Sequence, residues 1–189
     1  MERLQTRLEG PILLAPRKHQ DERGFFCETY RRALFGSLGI DEEMVQHNHS
    51  RSREGVVRGL HFQDGAGVAK LVRCVRGSIF DVVVDLRRDS PTFGQWEGFV
   101  LDAQSLQMVY CPAGFAHGFC VTSPLADVLY MQSGYYDPEL DRAIAFDDPD
   151  IAIDWPLPPE RLTVSRRDAT APRLAEIAQT LPFRLPAGS

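Results

Sequence analysis

Val68-Ala69-Lys70-Leu71-Val72-Arg73-Cys74-Val75, the turn signal Arg76-Gly77, and then Ile79-Phe80-Asp81-Val82-Val83-Val84-Asp85-Leu86 form the stretch whose reading decides the fold. Both halves are dense in β-branched and aromatic residues, which favour a pleated, half-buried surface. Side chains alternate between the faces of a strand. In the second half Phe80, Val82, Val84 and Leu86 therefore share one face. Asp81 and Asp85 alternate with Ile79 and Val83 on the other, which is polar enough to meet solvent or a cavity. In the first half Lys70 and Arg73 fall on opposite faces, so the two cations are not expected to serve one pocket.

The same texture continues on both sides. Val56–Leu60 precedes the stretch, and Trp96–Leu101, Gln107–Tyr110, His117–Thr122 and Asp127–Gln132 follow it, punctuated by breakers such as Asp89-Ser90-Pro91 and Pro112-Ala113-Gly114. Short strands at this spacing predict an all-β, antiparallel sandwich or barrel. Helix is confined to Tyr30–Leu38 and to Pro172–Leu181, where Leu174, Ile177, Ala178 and Leu181 recur at helical spacing behind a tolerated N-terminal proline. Asp147–Pro159, rich in Asp and Pro, reads as a surface wrap.

The 189 residues, 43% hydrophobic and 25% charged, suit one domain spanning 1–189 with a substantial core. A formal charge of −5 gives no general attraction for nucleic acid or an anionic membrane, so neither is an expected partner. No apolar run is long enough to span a bilayer, and Met1-Glu2-Arg3 leads into polar sequence rather than a secretory signal. The four cysteines form no C-x-x-C pair and read as free thiols. The cytoplasm is the expected compartment.

Arg58-Gly59-Leu60-His61-Phe62-Gln63 carries the first sign of chemistry. On strand parity Arg58, Leu60 and Phe62 share one face, and Gly59, His61 and Gln63 the other. A histidine facing a sheltered interior is either a hydrogen-bonded core residue or a base suited to neutral pH. Arg23, Arg58, Lys70, Arg73 and Arg167 form the basic set of an acidic chain. A lysine facing the interior needs a partner, Asp81 or Asp85 on the next strand, or an anionic ligand. His47-x-His49 with His61 and His117 suggests a cupin metal site, but the pair lacks a following carboxylate at ligand spacing and His61 lacks a second histidine, so no metal is expected. Tyr130, a weak acid on a predicted strand, can pass a proton if desolvated near a base; tyrosines also simply pack. Asp168 reads equally as a helix N-terminal carboxylate.

Beyond single residues, a series of motifs resembles one family. Asp21-Glu22-Arg23-Gly24-Phe25-Phe26-Cys27-Glu28, Gln46-His47-Asn48-His49-Ser50-Arg51-Ser52 and Val57-Arg58-Gly59-Leu60-His61-Phe62-Gln63 come first. Lys70-Leu71-Val72, Phe80-Asp81-Val82, Val84-Asp85-Leu86-Arg87, Ser90-Pro91-Thr92-Phe93-Gly94 and Gly114-Phe115-Ala116-His117-Gly118-Phe119 continue in order. From about Pro11 to Pro172 the chain is similar to the dTDP-4-dehydrorhamnose 3,5-epimerases.

The resemblance implies a cupin-type antiparallel jelly roll with short peripheral helices, acting on a dTDP-sugar as a homodimer without cofactor or metal. It assigns His61 as the base, Asp168 as the carboxylate that orients it, Tyr130 as the opposite-face acid and Lys70 as the cation for the enolate oxygen. It assigns Arg23, Phe26, Glu28, Gln46, His47, Asn48, Arg58, His117, Tyr136, Asp141 and Arg167 to substrate binding, with Arg23 and Glu28 reaching into the neighbouring subunit. The chemistry is coherent: a carbon beside a ketone is acidic enough for a base and an oxyanion-stabilising cation to suffice. Three residues depart from the family pattern: Met131 where a polar or basic residue is usual, Asp141 where glutamate is common, and Arg167 where lysine is common. These departures bear on which carbons are inverted and on the final sugar. A single-carbon epimerase or ketoisomerase of a related dTDP-deoxysugar pathway, and a silent sugar-nucleotide-binding cupin, are the alternatives.

Overall fold

A computed structural model describes residues 1–185. Thirteen strands and three short α-helices occur among the described residues. In chain order the strands are β1 (Glu2–Leu4), β2 (Ile12–Ala15), β3 (His19–Asp21), β4 (Gly24–Phe26), β5 (Gln46–Arg53), β6 (Val57–Gln63) and β7 (Lys70–Arg76). They continue with β8 (Ser78–Asp85), β9 (Trp96–Asp102), β10 (Met108–Cys111), β11 (Phe115–Val121), β12 (Leu125–Gln132) and β13 (Asp141–Ala143). The helices are α1 (Arg32–Ser37), α2 (Arg166–Ala169) and α3 (Leu174–Ile177).

A six-stranded sheet, β1-β2-β10-β7-β12-β5, faces a five-stranded sheet, β13-β6-β11-β8-β9, and β3 and β4 stand apart as a hairpin. Every paired strand is antiparallel. The opening stretch becomes β7 and β8, one strand in each sheet, so the turn at Arg76–Ser78 crosses between layers. This is the expected all-β jelly roll.

Three apolar layers hold it together. Val72 and Cys74 of β7, Ile79 and Val83 of β8, Phe119 and Val121 of β11 and Val128 of β12 fill the space between the sheets. Val82, Val84 and Leu86 face outward from the five-stranded sheet, but the chain from Ile144 to Phe183 covers them. On the outside of the six-stranded sheet, Leu71, Met108 and Tyr110 are covered by Phe35 of α1 and Ile40. Fully burying one such side chain contributes about 1.5–3 kcal/mol.

The helices differ from expectation. α1 lies inside the predicted Tyr30–Leu38 segment. Of Pro172–Leu181 only Leu174–Ile177 is helical. One turn suffices to seat Leu174 on the sheet, and the chain then runs on to place Leu181 and Phe183 on the same apolar surface. α2, holding Asp168, stands as its own turn ahead of α3, capped by the Ser165 hydroxyl, which accepts from the Asp168 amide.

The alternation expected along β6 also needs correction. His61 lies opposite His117 of β11, but Arg58 lies opposite Phe119, so Gly59 and Leu60 together oppose Gly118 alone. This is a β-bulge, and it reverses side-chain parity along the strand. Leu60 and Phe62 turn into the outer apolar layer, as their shared face predicts. Arg58 instead joins His61 and Gln63 on the cavity side. The crossing depends on glycine: Gly59 has φ +123°, a Cβ there would sit 2.5 Å from the Gly118 Cα, and a Cβ on Gly118 would sit 2.7 Å from the Arg58 carbonyl oxygen.

Candidate active site

Towards the β5–β6–β12 end the two sheets enclose a cavity of about 540 Å³. His61 stands in its wall, half-buried, and its Nε2 lies 2.7 Å from Asp168 Oδ1. Asp168 is buried. Burial works to raise its carboxyl pKa, but the hydrogen bond and charge of His61, the Ser165 hydroxyl and the Gly59 amide together hold it below the ordinary carboxylate range. An ionised carboxylate only accepts, so in the neutral imidazole Nε2 carries the ring proton and Nδ1 presents a lone pair.

His117 lies beside His61 on β11, its Nε2 2.8 Å from Asp81 Oδ2 at the buried base of the cavity. The other oxygen of Asp81 has no partner among the described residues. Asp81 thus meets neither solvent nor the cavity directly, but lies fully buried behind His117. Asp85, on the same face of β8, closes a loop by accepting from Arg87, Ser90 and Thr92. Neither aspartate pairs with Lys70, whose ammonium donates to the His61 carbonyl at 3.2 Å. Burial depresses the Lys70 pKa, with the surrounding Cys111, Asp141 and Asp81 opposing it. Arg73 emerges from the opposite side of β7, as parity requires.

Tyr130 lines the cavity from β12. Its hydroxyl pKa is raised by burial, against the pull of Arg58 and with a further push from Asp141, so it is a protonated donor at neutral pH. At the mouth, Arg167 Nη1 and Asp141 Oδ2 are 2.6 Å apart, and the Tyr136 hydroxyl donates to the same oxygen at 3.1 Å. Two of the departures from the family pattern are thus bonded to each other.

The cavity brings together nine of the expected residues: His61, Lys70, Tyr130, Asp168, Arg58, His117, Tyr136, Asp141 and Arg167. Gln46 and Asn48 stand just behind the wall: Asn48 donates to Gln132, and Gln46 Oε1 accepts from the Tyr136 amide. His47 points the other way, exposed on the outer face of β5, since neighbours in a strand face opposite sides. Arg23, Phe26 and Glu28 lie outside the cavity, the first two on the β3–β4 hairpin, where Phe25 is 56% and Phe26 72% exposed. His49 does not approach His61 or His117; it bonds Asp127, which Arg51 also grips. No group of three or more histidine, cysteine or carboxylate side chains is placed to hold a metal ion among the described residues. Gln132, Ser50 and Ser165 were missed as lining residues. Parity carried the signal for two of them, since Ser50 follows Gln46 and Asn48 on one face and Gln132 follows Tyr130.

A jelly roll with this cavity is a cupin-type enzyme. More particularly, the chain belongs to the dTDP-4-dehydrorhamnose 3,5-epimerase family, whose model, under that description, matches residues 5–176. A dTDP-4-dehydrorhamnose 3,5-epimerase of Pseudomonas aeruginosa is 51% identical over 155 residues, covering 80% of this chain and 86% of that protein. A dTDP-4-dehydrorhamnose 3-epimerase of Streptomyces niveus is 46% identical over 171 residues, covering 89% and 82%. The solved structure of a dTDP-6-deoxy-D-glucose-3,5-epimerase from Legionella pneumophila, in complex with dTDP-4-keto-L-rhamnose, superposes with a TM-score of 0.94 at 42% identity, covering 98% of this chain and 99% of that one.

Proposed function

We propose that the protein inverts C3 and C5 of dTDP-4-dehydro-6-deoxyglucose, giving dTDP-4-dehydrorhamnose, by removing and returning protons beside the C4 ketone. The observation that carries this reading is the His61–Asp168 pair, with Nδ1 unengaged among the described residues, in one cavity with Lys70 and Tyr130. His61 takes the proton from carbon, and Asp168 stabilises the imidazolium that results. The electron pair moves onto the ketone oxygen, where Lys70 offers the N–H groups not used by the His61 carbonyl. Tyr130 then returns a proton from the other side, inverting the centre.

The nucleotide diphosphate falls to Arg58, His117 and the Gln46–Asn48 side of the cavity. Arg23, Phe26 and Glu28 reach a site only if the β3–β4 hairpin of a second copy enters it. The two exposed phenylalanines on that hairpin favour a homodimer that covers them. Four free cysteines fit a reducing compartment such as the cytoplasm, and no helix among the described residues is long and apolar enough to cross a membrane.

The Streptomyces niveus relative named as a 3-epimerase supports the second reading, inversion at one carbon. Turnover in deuterated water separates the two. The expected result is label at C3 and at C5 of recovered sugar nucleotide. Label and inversion at only one carbon establish the second reading, and none at either refutes both.

A further inference from the structure

We propose that Asp141 is a positioning residue: through Arg167 it fixes the one-turn helix α2 that carries Asp168, and so sets the orientation of His61. The inference rests on the proton-transfer reading of the cavity and assigns a different task to a residue expected only to bind substrate.

α2 has four residues, too few to sustain a helix alone. Its internal support is the Ser165 cap at its start and the Thr170 hydroxyl at its end, which donates to the Arg166 and Arg167 carbonyls. The chain before it is tied down by Thr163, which exchanges backbone hydrogen bonds with Gly55 and Val57, and the chain after it by the Pro172 carbonyl, which accepts from Ala145. Between those anchors two side chains bind α2 to the barrel: Asp168 to His61 at 2.7 Å and Arg167 to Asp141 at 2.6 Å. Successive residues on a helix point about 100° apart, so the two bonds restrain α2 from different directions. Either bond alone leaves it free to pivot.

The Asp141 end of the second bond is rigid. Asp141 begins β13, opposite Gln63, and Ala143 lies opposite His61 in the same ladder. The contacts therefore close a circuit: His61, the β6–β13 ladder, Asp141, Arg167, Asp168 and back to His61. Tyr136 steadies the Asp141 carboxylate from the β12–β13 loop. Shielding separates this pair from an ordinary surface ion pair, which contributes little: the Asp141 side chain is only 12% exposed, with Arg167 at 48%. Burial works to raise the Asp141 pKa, but Arg167, Tyr136 and His61 together hold it below the ordinary carboxylate range, so the grip is present at neutral pH.

The test uses Arg167→Lys and Asp141→Glu, singly and together. Lysine loses reach and the planar fork, and glutamate restores the span by one methylene. Positioning predicts that each single variant lowers kcat by about tenfold, the scale of losing an orienting partner. The KM and the Kd for dTDP alone should stay within about twofold, and the double variant should recover most of kcat, because contacting residues couple. Arg167→Met adds a discriminating sign. Removing a cation beside the dyad by itself makes the His61 imidazolium easier to form and moves the acid limb of the kcat/KM profile up in pH. Losing Asp168 as a partner moves it down, and down is the expected result. The low-field proton resonance of the His61–Asp168 hydrogen bond gives a readout independent of turnover; it should broaden in Arg167→Met and return in the Arg167→Lys/Asp141→Glu pair. Effects confined to KM or to dTDP affinity, an upward acid limb, or an unchanged low-field resonance would overturn the inference. Wild-type protein inert towards the sugar nucleotide would instead refute the proposed function, leaving the resonance to decide the positioning role.

Discussion

Asp168→Asn is nearly isosteric, so it tests the dyad without opening a cavity. Asp168 accepts from the His61 ring at 2.7 Å, and the Ser165 hydroxyl and the Gly59 amide also favour its charged form. A carboxylate suits all three; an amide has one oxygen and one NH2. If the oxygen of the substituted amide faces His61, its NH2 turns towards those other donors. If the oxygen turns away from His61, the NH2 donates to Nε2, and the ring proton moves to Nδ1, the atom that has to be empty for His61 to act as the proposed base. The first arrangement leaves a buried donor unsatisfied at a cost of about 1–3 kcal/mol. The second abolishes the working tautomer, which in the serine-protease triad lowers kcat about 10⁴-fold.

The substitution also removes the charge that stabilises the imidazolium. A charge-assisted hydrogen bond contributes about 1.5–3 kcal/mol, which at 1.36 kcal/mol per decade is about ten- to a hundredfold by itself. We therefore expect kcat for Asp168→Asn to fall at least about 100-fold once the tautomer effect is included. His61→Ala, lacking any base, should abolish exchange altogether. The assay is solvent deuterium incorporation at C3 and C5 under saturating substrate, with dTDP affinity measured in parallel to establish an intact nucleotide site. A folded Asp168→Asn protein within about tenfold of wild-type kcat would refute the reasoning, because it would mean that the tautomer and the imidazolium are set by something other than Asp168.

Tyr130→Phe keeps the proposed base and the lysine while removing the acid proposed for the opposite face, so substrate should still gain deuterium while net inversion falls sharply; a parallel fall of both, or of neither, removes Tyr130 from the acid role. Gly118→Ala should destabilise the fold by about 1–3 kcal/mol, the range for forcing extra atoms into a packed site, because its Cβ would meet the Arg58 carbonyl oxygen at 2.7 Å. Denaturant unfolding checks it, and an unchanged midpoint would show that the β6–β11 crossing has slack.

How far the sequence could be read depended on whether a residue's environment lay along its own strand. β7 and β8 were legible because apolar layers cover them, and alternation correctly separated Lys70 from Arg73. Arg58 was misplaced because the bulge depends on Gly118 of another strand, remote in sequence. β5 went unread as a strand although it is eight residues long, because Gln46-His47-Asn48-His49-Ser50-Arg51-Ser52-Arg53 contains no apolar residue. Its inner face lines a polar cavity and its outer face is exposed, so the hydrophobic signal of a strand never arises. The β3–β4 hairpin leaves Phe25 and Phe26 exposed, so burial within this chain gave no signal for their role.

The cavity itself can be understood as an account of hydrogen bonds. Between the sheets, inward positions change from Val, Ile and Phe to Gln46, Asn48, Ser50, His61, Gln63, Lys70, His117 and Gln132. Polar groups of this kind cannot pack dry without partners. Most find one another: Gln46 donates to Asn48, Asn48 to Gln132, and Gln63 receives the Asp137 amide and donates to the Tyr135 carbonyl. These pairings tie the β12–β13 loop to both sheets and leave the wall stiff. His61 Nδ1, the unused N–H groups of Lys70 and the Tyr130 hydroxyl remain without a protein partner among the described residues. They are an acceptor, a cation and a donor facing one space. A wall that satisfies its own amides and leaves these groups open retains its hydrogen-bonding capacity for a ligand that gives up a proton, gathers negative charge on oxygen and takes a proton back, which is the sequence a carbon beside a ketone undergoes when it inverts.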